Sequence, residues 1–331
     1  MKNEVLTLAE ASARIVSGEI LSIAGHPAYL AQLPKGTWIG GSSHYFVTSE
    51  GGKKIENRLY CTSFDEAEAA EIRVIAPDNL TDIATGYQTG GASLILIPAF
   101  GHAHRRFAIE APQNPALFAQ PLMGWVAGTA LERIGQDHAI VIDGSTGQTH
   151  EDAAIVMHLG FAKGVTPNLE IVNIFEQAGD TATSIIFETS GFEAEDAMIN
   201  GAKQNLARYL TAQNWDTRLP LIANYGGAHL NVSIKSVDAD TGIVSFYAPV
   251  QEGVVYRPAA ALPDDYAQAF AGSLSDKVTG ADYSCNCILN YLYGEMEGKS
   301  VSGFTGPMTF GEIAYMLLNQ TLVRLELQKA A

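Results

Sequence analysis

Val232-Ser-Ile-Lys-Ser-Val237, Asp238-Ala-Asp-Thr-Gly242 and Ile243-Val-Ser-Phe-Tyr247 follow one another in the chain. Two runs rich in β-branched and aromatic residues flank a segment of turn chemistry, which is the pattern of an antiparallel hairpin. A hairpin needs antiparallel neighbours, so this stretch argues against a purely parallel sheet. Working outward, β-like runs occupy 19–24, 37–41, 45–48, 58–63, 72–76, 93–98, 121–126, 138–142 and 153–159. Further runs lie at 183–188, 281–285, 301–304 and 320–327. Helical patterns interleave with them. Thr7-Leu-Ala-Glu10 is a capping box that opens a helix to Val16, and Pro27 starts a short helix to Leu33. Helices are also expected over 78–86, 263–274 and 288–297. The longest is expected over 194–212, with Ala197, Ile199, Ala202, Leu206 and Leu210 roughly on one face. The fold class that follows is α+β (mixed α/β), with mixed, largely antiparallel sheets flanked by helices.

The length of 331 residues suits two domains at about 150 residues each. Gly, Lys and Pro interrupt the pattern over 160–167, which places the division between 1–165 and 166–331. An internal echo suggests that the two domains are related. Laying Ile39-Gly-Gly41 over Val301-Ser-Gly303 brings Glu50 onto Glu312 and Asn57 onto Asn319. A duplicated module usually holds its ligand in a cleft between or within the copies.

Charge bounds the partners. There are 36 acidic and 20 basic residues, a net −16, and such a surface repels nucleic acid and anionic lipid. No run of apolar residues is long enough for a membrane helix, and residues 1–25 do not read as a signal peptide. Three cysteines, Cys61, Cys285 and Cys287, make neither a disulfide framework nor a zinc site, and a cytoplasmic protein is expected. Phosphate-binding glycine loops and a GxSxG elbow are absent.

The last third carries Ser284-Cys285, Gly294-Glu295-Met-Glu297, Gly303-Phe304, Phe310-Gly311-Glu312-Ile313 and Asn319-Gln320-Thr321. In order and spacing these resemble the C-terminal domain of the FIST family, a bacterial sensory module. Ile39-Gly-Gly-Ser-Ser43 and Pro121-Leu-Met-Gly124-Trp-Val-Ala127-Gly128 resemble segments of the FIST N-terminal domain. The likeness runs from residue 35 to 327. It departs at Trp125, where the family has glycine, and at Asn286-Cys287-Ile288, where the family often has an arginine. The resemblance implies a non-enzymatic small-molecule sensor for amino-acid-like ligands, with haem in some members. With no output domain expected after the last strand, signal would pass to a separate kinase, cyclase or chemotaxis protein. Homo-oligomerisation is left open.

The expected ligand cleft is lined by Gly41, Ser42, Ser43 and His44, by Gly124 and Trp125, and by Gly303, Phe304, Gly311 and Glu312. Glu312 beside a glycine turn either holds a ligand amine or caps backbone N–H groups. His44 is the haem-ligand candidate, with Tyr45 and Phe46 as walls. His102-Ala-His104-Arg105-Arg106 is the one basic cluster in an acidic chain. Arg105 and Arg106 would recognise a carboxylate, His102 and His104 would start a metal site, or the cluster pairs with surface acids. Cys285 is a candidate nucleophile or a buried small residue, and Cys285 and Cys287 are expected on opposite faces of a strand. Cys285 and the His102/His104 pair carry the alternative reading, an enzyme.

Overall fold

The computed structural model describes all residues except 180–182, 226, 262–265, 267, 270–271, 273–281, 300–303 and 330–331. The helix expected over 263–274 and the strand over 301–304 therefore lie largely outside the described residues, as does Gly303. The fold is mixed α/β, rich in strands and poor in helices, with several sheets.

Its framework comes from one strand pattern written three times. The first repeat runs β1 (Lys2–Leu6), α1 (Leu8–Val16), β2 (Leu21–Gly25), α2 (Pro27–Leu30), β3 (Trp38–Ser42), the hairpin β4 (Tyr45–Thr48) and β5 (Gly51–Lys54), then β6 (Leu59–Ser63). The second runs β7 (Ala67–Ile75), β8 (Ala92–Pro98), α3 (His102–Glu110), β9 (Leu122–Ala127), the hairpin β10 (Val141–Asp143) and β11 (Gln148–His150), then β12 (Ala154–Phe161). In the third, β13 (Val165–Val172) precedes an insertion, whose fully described elements are nine strands and one helix. These are β14 (Ile185–Ile186), β15 (Gly191–Ala194), β16 (Asp196–Ile199), β17 (Ala202–Asn205), α4 (Leu206–Ala212), β18 (Leu221–Tyr225), β19 (Ala228–Val232), β20 (Ile234–Asp238), β21 (Ile243–Val250) and β22 (Val255–Pro258). The repeat then resumes with β23 (Tyr283–Cys287), α5 (Ile288–Tyr293), β24 (Gly306–Thr309), the hairpin β25 (Glu312–Ala314) and β26 (Met316–Leu318), and β27 (Leu322–Lys329).

Each repeat builds a sheet of the same order. The sheets read β1-β6-β2-β3-β10-β11, β7-β12-β8-β9-β25-β26 and β13-β27-β23-β24-β4-β5. In each, the central pair is parallel and bridged by a helix: β2 with β3, β8 with β9, and β23 with β24. In each, the last two strands come from another repeat. The first repeat lends its hairpin to the third sheet, the third to the second, and the second to the first. The three sheets thus close into a ring of borrowed strands. The expected division at 165 falls at the turn between the second and third repeats, yet hydrogen-bonded ladders cross it twice, Met308 with Tyr45 and Glu312 with Trp125.

Local chemistry explains the elements. Thr7 accepts from the Glu10 N–H while Glu10 reaches back to the Thr7 N–H, so the capping box forms as expected. The central strands are buried along their whole length, which is why Leu94-Ile-Leu-Ile97 reads as a continuous apolar run. The hairpin over 232–247 forms as β20 and β21, pairing Asp238 with Ile243.

Two expectations are corrected. The helix over 194–212 is strand β16, strand β17 and only then helix α4. Asn200 (φ 50°) and Gly201 (φ 81°) hold two consecutive left-handed conformations, so they close a two-residue hairpin with Ile199 opposite Ala202. Alanine-rich spacing imitated a helical face, but Asn-Gly is the stronger local signal. The echo of Glu50 over Glu312 also fails. Glu50 is an exposed turn residue paired with Lys53, whereas Glu312 is fully buried in β25. By ladder position the repeats align differently: Gly41 opposite Val141, Trp125 opposite Glu312, and Met308 opposite Tyr45.

Candidate functional site around Glu312

Parallel strand pairs leave ligand positions at their carboxyl ends, and the ring provides three. At the end of β23 and β24 a set of polar side chains is buried. Asn286, Asn290, Glu312, Gln320 and Thr321 are each 0% exposed. The Thr321 N–H and hydroxyl donate to Glu312 Oε2 at 3.2 and 2.8 Å, and Thr309 Oγ1 lies 3.3 Å from Oε1. Asn290 donates to Asn286 Oδ1 at 2.7 Å and to the Thr321 carbonyl at 3.3 Å. Tyr266 donates to Asn290 Oδ1. Asn286 Nδ2 and the Tyr291 hydroxyl are buried with no partner among the described residues.

Burial pushes the Glu312 carboxyl up to about 8, against the pull of Thr321, Cys287 and Thr309. Glu312 is therefore largely neutral at pH 7. Thr309 Oγ1 donates to Oε1 of the charged form; in the neutral form the Glu312 O–H has Thr309 Oγ1 as an acceptor, because that hydroxyl can turn its own hydrogen to the Asn286 carbonyl at 3.2 Å.

Both cysteines sit beside this acid. Residues two apart on a strand share a face, so the expectation of opposite faces for Cys285 and Cys287 is corrected. Burial, with the Glu312 charge next, pushes both thiols well above the ordinary range. Cys285 Sγ contacts the Gly124 carbonyl at 3.3 Å. A buried thiol of this kind is a poor nucleophile.

The other expected site residues divide into two groups. Gly41, Ser42, Ser43, Gly124, Trp125 and Gly311 are brought together where the sheets meet, and they are packed rather than open. A Cβ on Gly41 would lie 2.6 Å from the Trp125 ring, and the Trp125 indole donates to the Tyr283 hydroxyl at 3.0 Å. Ser42 Oγ donates to the Gly128 carbonyl at 2.8 Å, and Ser43 Oγ lies 3.2 Å from the Met308 carbonyl. Gly311 (φ 146°) packs on Leu317, and Phe304 is buried against the layer of Tyr45 and Tyr291. His44 is buried against His26, with ring centroids 5.1 Å apart, and its Nδ1 has no partner among the described residues. Burial and His26 hold its pKa down. Its neighbours do not wall a porphyrin: Tyr45 packs on Tyr291, and Phe46 stacks on Tyr60 inside the core.

The basic cluster lies apart, on α3 after β8. Arg106 pairs with Glu110 and Asp78 at 2.7 Å each, the surface-acid alternative. Arg105 stands over the Phe192 ring at 5.5 Å, and His102 is exposed. His104 is buried and accepts the Phe100 N–H at 3.3 Å. Among the described residues no group of three His, Cys, Asp or Glu is placed to hold a metal.

Sequence reading missed the linkage of this site to the insertion. Asn319 Oδ1 accepts the Ser233 N–H and hydroxyl at 3.0 and 2.7 Å. Asn231 donates to the Asn319 and Gln320 carbonyls at 3.3 and 3.1 Å. Gln320 takes a left-handed φ of 50° and donates to the Arg218 carbonyl at 3.0 Å. Asn319-Gln320-Thr321 thus docks the insertion on one side and holds Glu312 on the other. The signal was present in that polar triplet, but nothing in the sequence named its partners.

Two buried histidines give a pH prediction. Burial lowers His104 and His158 to about 4 each. Below pH 6.5 the unfolded chain binds protons that these rings refuse, so stability falls as pH drops from 6.5 towards 4. Each contributes about 3 kcal/mol at the limit. In urea denaturation at pH 7 and pH 4.5, His104→Gln and His158→Gln should each lose less stability than wild type over that range, the opposing contribution of Glu312 being common to all three.

The fold and site define a mixed α/β protein of three strand-exchanged repeats with a buried acid at one strand-pair end. Residues 6–328 match the model of a family described as a family of unknown function, DUF6976, and the chain belongs to that family. No curated protein matches it. Among the described residues no helix is long and apolar enough to cross a membrane.

Proposed function

We propose that this chain is a small-molecule-binding protein of sensory type, non-enzymatic at this site, that signals to a separate partner. The single observation that carries the reading is the environment of Glu312. Among the residues that resemble the FIST family, Cys285, Gly311 and Thr321 lie beside one buried carboxyl, Glu312, at the end of a parallel strand pair, and Asn319-Gln320 leads into it. A buried acid, with the Asn286 amide at the end of the same strand pair unpartnered among the described residues, offers an acceptor and a donor for a compact ligand bearing an amine and a carboxylate. A ligand ammonium would return Glu312 to its charged form by supplying the missing counter-charge.

The insertion gives this reading an output. Its dock, Asn319-Gln320, is continuous with Thr321, so a change in the charge on Glu312 reaches it through one residue. The test is a melting-temperature screen with free amino acids, small amines and haem. One class should raise Tm by several degrees in the wild type, and Glu312→Gln should abolish that shift while still unfolding cooperatively. No shift with any class, or an undiminished shift in Glu312→Gln, would remove Glu312 from a ligand site.

A further inference from the structure

A second buried pair lies in the second sheet, away from Glu312. Ser93 on β8 and His158 on β12 are directly opposed across the ladder. Ser93 Oγ is 2.7 Å from His158 Nδ1, and Gln120 donates to Ser93 Oγ at 2.8 Å. The Ser93 hydroxyl accepts from Gln120 and keeps one lone pair and one hydrogen; in the tautomer whose Nδ1 is the accepting nitrogen, that hydrogen points to His158. In that tautomer the ring hydrogen is on Nε2, which is buried and has no partner among the described residues. An unpaired donor of this kind is costly in a native core.

The cover over the pair is thin. Gly86 lies flush on the imidazole, so a Cβ there would fall 2.4 Å from Nε2. Tyr87 meets the ring edge-on with centroids 5.8 Å apart, and Gln88 donates back to the Gly86 carbonyl at 3.3 Å. Gly90, with φ 73°, and Gly91 follow. Gly86, Tyr87, Gln88 and Gln120 are all only half-buried, whereas Ser93 and His158 beneath them are fully buried. The Tyr87 hydroxyl ties this cover to the Leu117 carbonyl at 3.1 Å. Leu117 in turn lines an apolar cleft of about 280 Å³ with Leu80, Phe107 and Ala111.

We propose that Ser93 is an acyl-accepting nucleophile, with His158 as its general base, gated by the 86–91 segment and acting on small esters with a short apolar acyl group. In the step, Ser93 Oγ bonds to the acyl carbon as its proton passes to His158 Nδ1. The ester C–O bond breaks, and the departing alkoxide takes that proton to leave as the alcohol. Water then hydrolyses the acyl-serine by the same route, returning the free hydroxyl and releasing the acid. Gln120 holds Ser93 Oγ in place through its 2.8 Å hydrogen bond. Closed, the cover keeps the imidazole dry and weakly basic; Glu71 across the ladder opposes this and Arg73 reinforces it. Lifting the cover hydrates Nε2–H and restores the basicity of the ring, so access and activation come together.

A fluorophosphonate probe and p-nitrophenyl acetate, used on the full chain between pH 6 and 9, test this. The wild type should be labelled at Ser93 and release p-nitrophenol. Ser93→Ala should lose the label, and His158→Gln should slow labelling at least tenfold. Gln88→Ala, which loosens the cover and leaves both reacting groups in place, should speed it. Absence of label at Ser93 in folded wild type and folded Gln88→Ala, or labelling indifferent to His158→Gln, would overturn the proposal.

Discussion

Replacing Gly124 with alanine is expected to abolish the fold. Gly124 lies in β9 opposite Ile95 of the parallel strand β8. A Cβ there would lie 1.7 Å from the Ile95 carbonyl oxygen and 2.7 Å from its carbon. Both atoms are backbone of a buried central strand, so no rotamer change relieves the clash. Moving β8 would disturb its ladder to β12, and moving β9 would break its ladder to β25. The cost should exceed about 4 kcal/mol, the exceptional end of single substitutions. Gly160→Ala is the control, since its Cβ would meet nothing closer than 3.5 Å. Equilibrium urea denaturation should place that variant within about 0.5 kcal/mol of wild type, whereas Gly124→Ala should give no cooperative transition. A folded Gly124→Ala protein would mean that the two strands are not in this register.

The second large effect concerns Glu312 and runs opposite to that of the histidines. A carboxyl raised from 4.5 to about 8 by burial holds its proton in the folded chain after the unfolded chain has lost it. The contribution of Glu312 is therefore complete below pH 4.5 and declines as pH climbs towards 8. The full penalty is about 5 kcal/mol. Gln in this place keeps an oxygen for Thr321 and presents an N–H to Thr309, as the neutral acid does. Glu312→Gln should therefore resemble wild type near pH 5 and exceed it by several kcal/mol at pH 9, in urea denaturation at both values. Equal pH dependence in the two proteins would show that Glu312 is ionised, and paired, in the folded state.

Some of this was legible in the residues. The hairpin over 232–247, the capping box at Thr7 and the apolar strand before Pro98 follow from local chemistry, and the structure contains them. The helix over 194–212 was misread because period-3.6 spacing of small residues carries little information beside an Asn-Gly turn. Glu312 reads from sequence as a holder of a ligand amine or of backbone N–H groups; it accepts the Thr321 N–H, and its burial depends on Thr321 and Thr309 converging from separate segments. Ser93 and His158 stood in two expected strands, and only the ladder register makes them partners. The exchange of hairpins had no sequence signal, since Tyr45 pairs with Met308 across most of the chain. Periodicity reports which face is buried and says nothing about whose strand covers it.

The ring has a consequence for how the protein is made. Synthesis proceeds from the N-terminus, and domains generally fold as they emerge. Here the sheet of the first repeat waits for β10, that of the second waits for β25, and the first hairpin waits for β24. On the ribosome, the apolar edge of β9 stays unpaired until residues 312–314 arrive. Such an open edge is a template for pairing with the wrong chain. A nascent chain stalled before β24 would expose all of the unmet edges, except that of β3, at once. The last 26 residues before the tail, 304–329, therefore act as the closing clasp of the molecule. Truncation there should cost the solubility of the whole chain, not merely the loss of one layer.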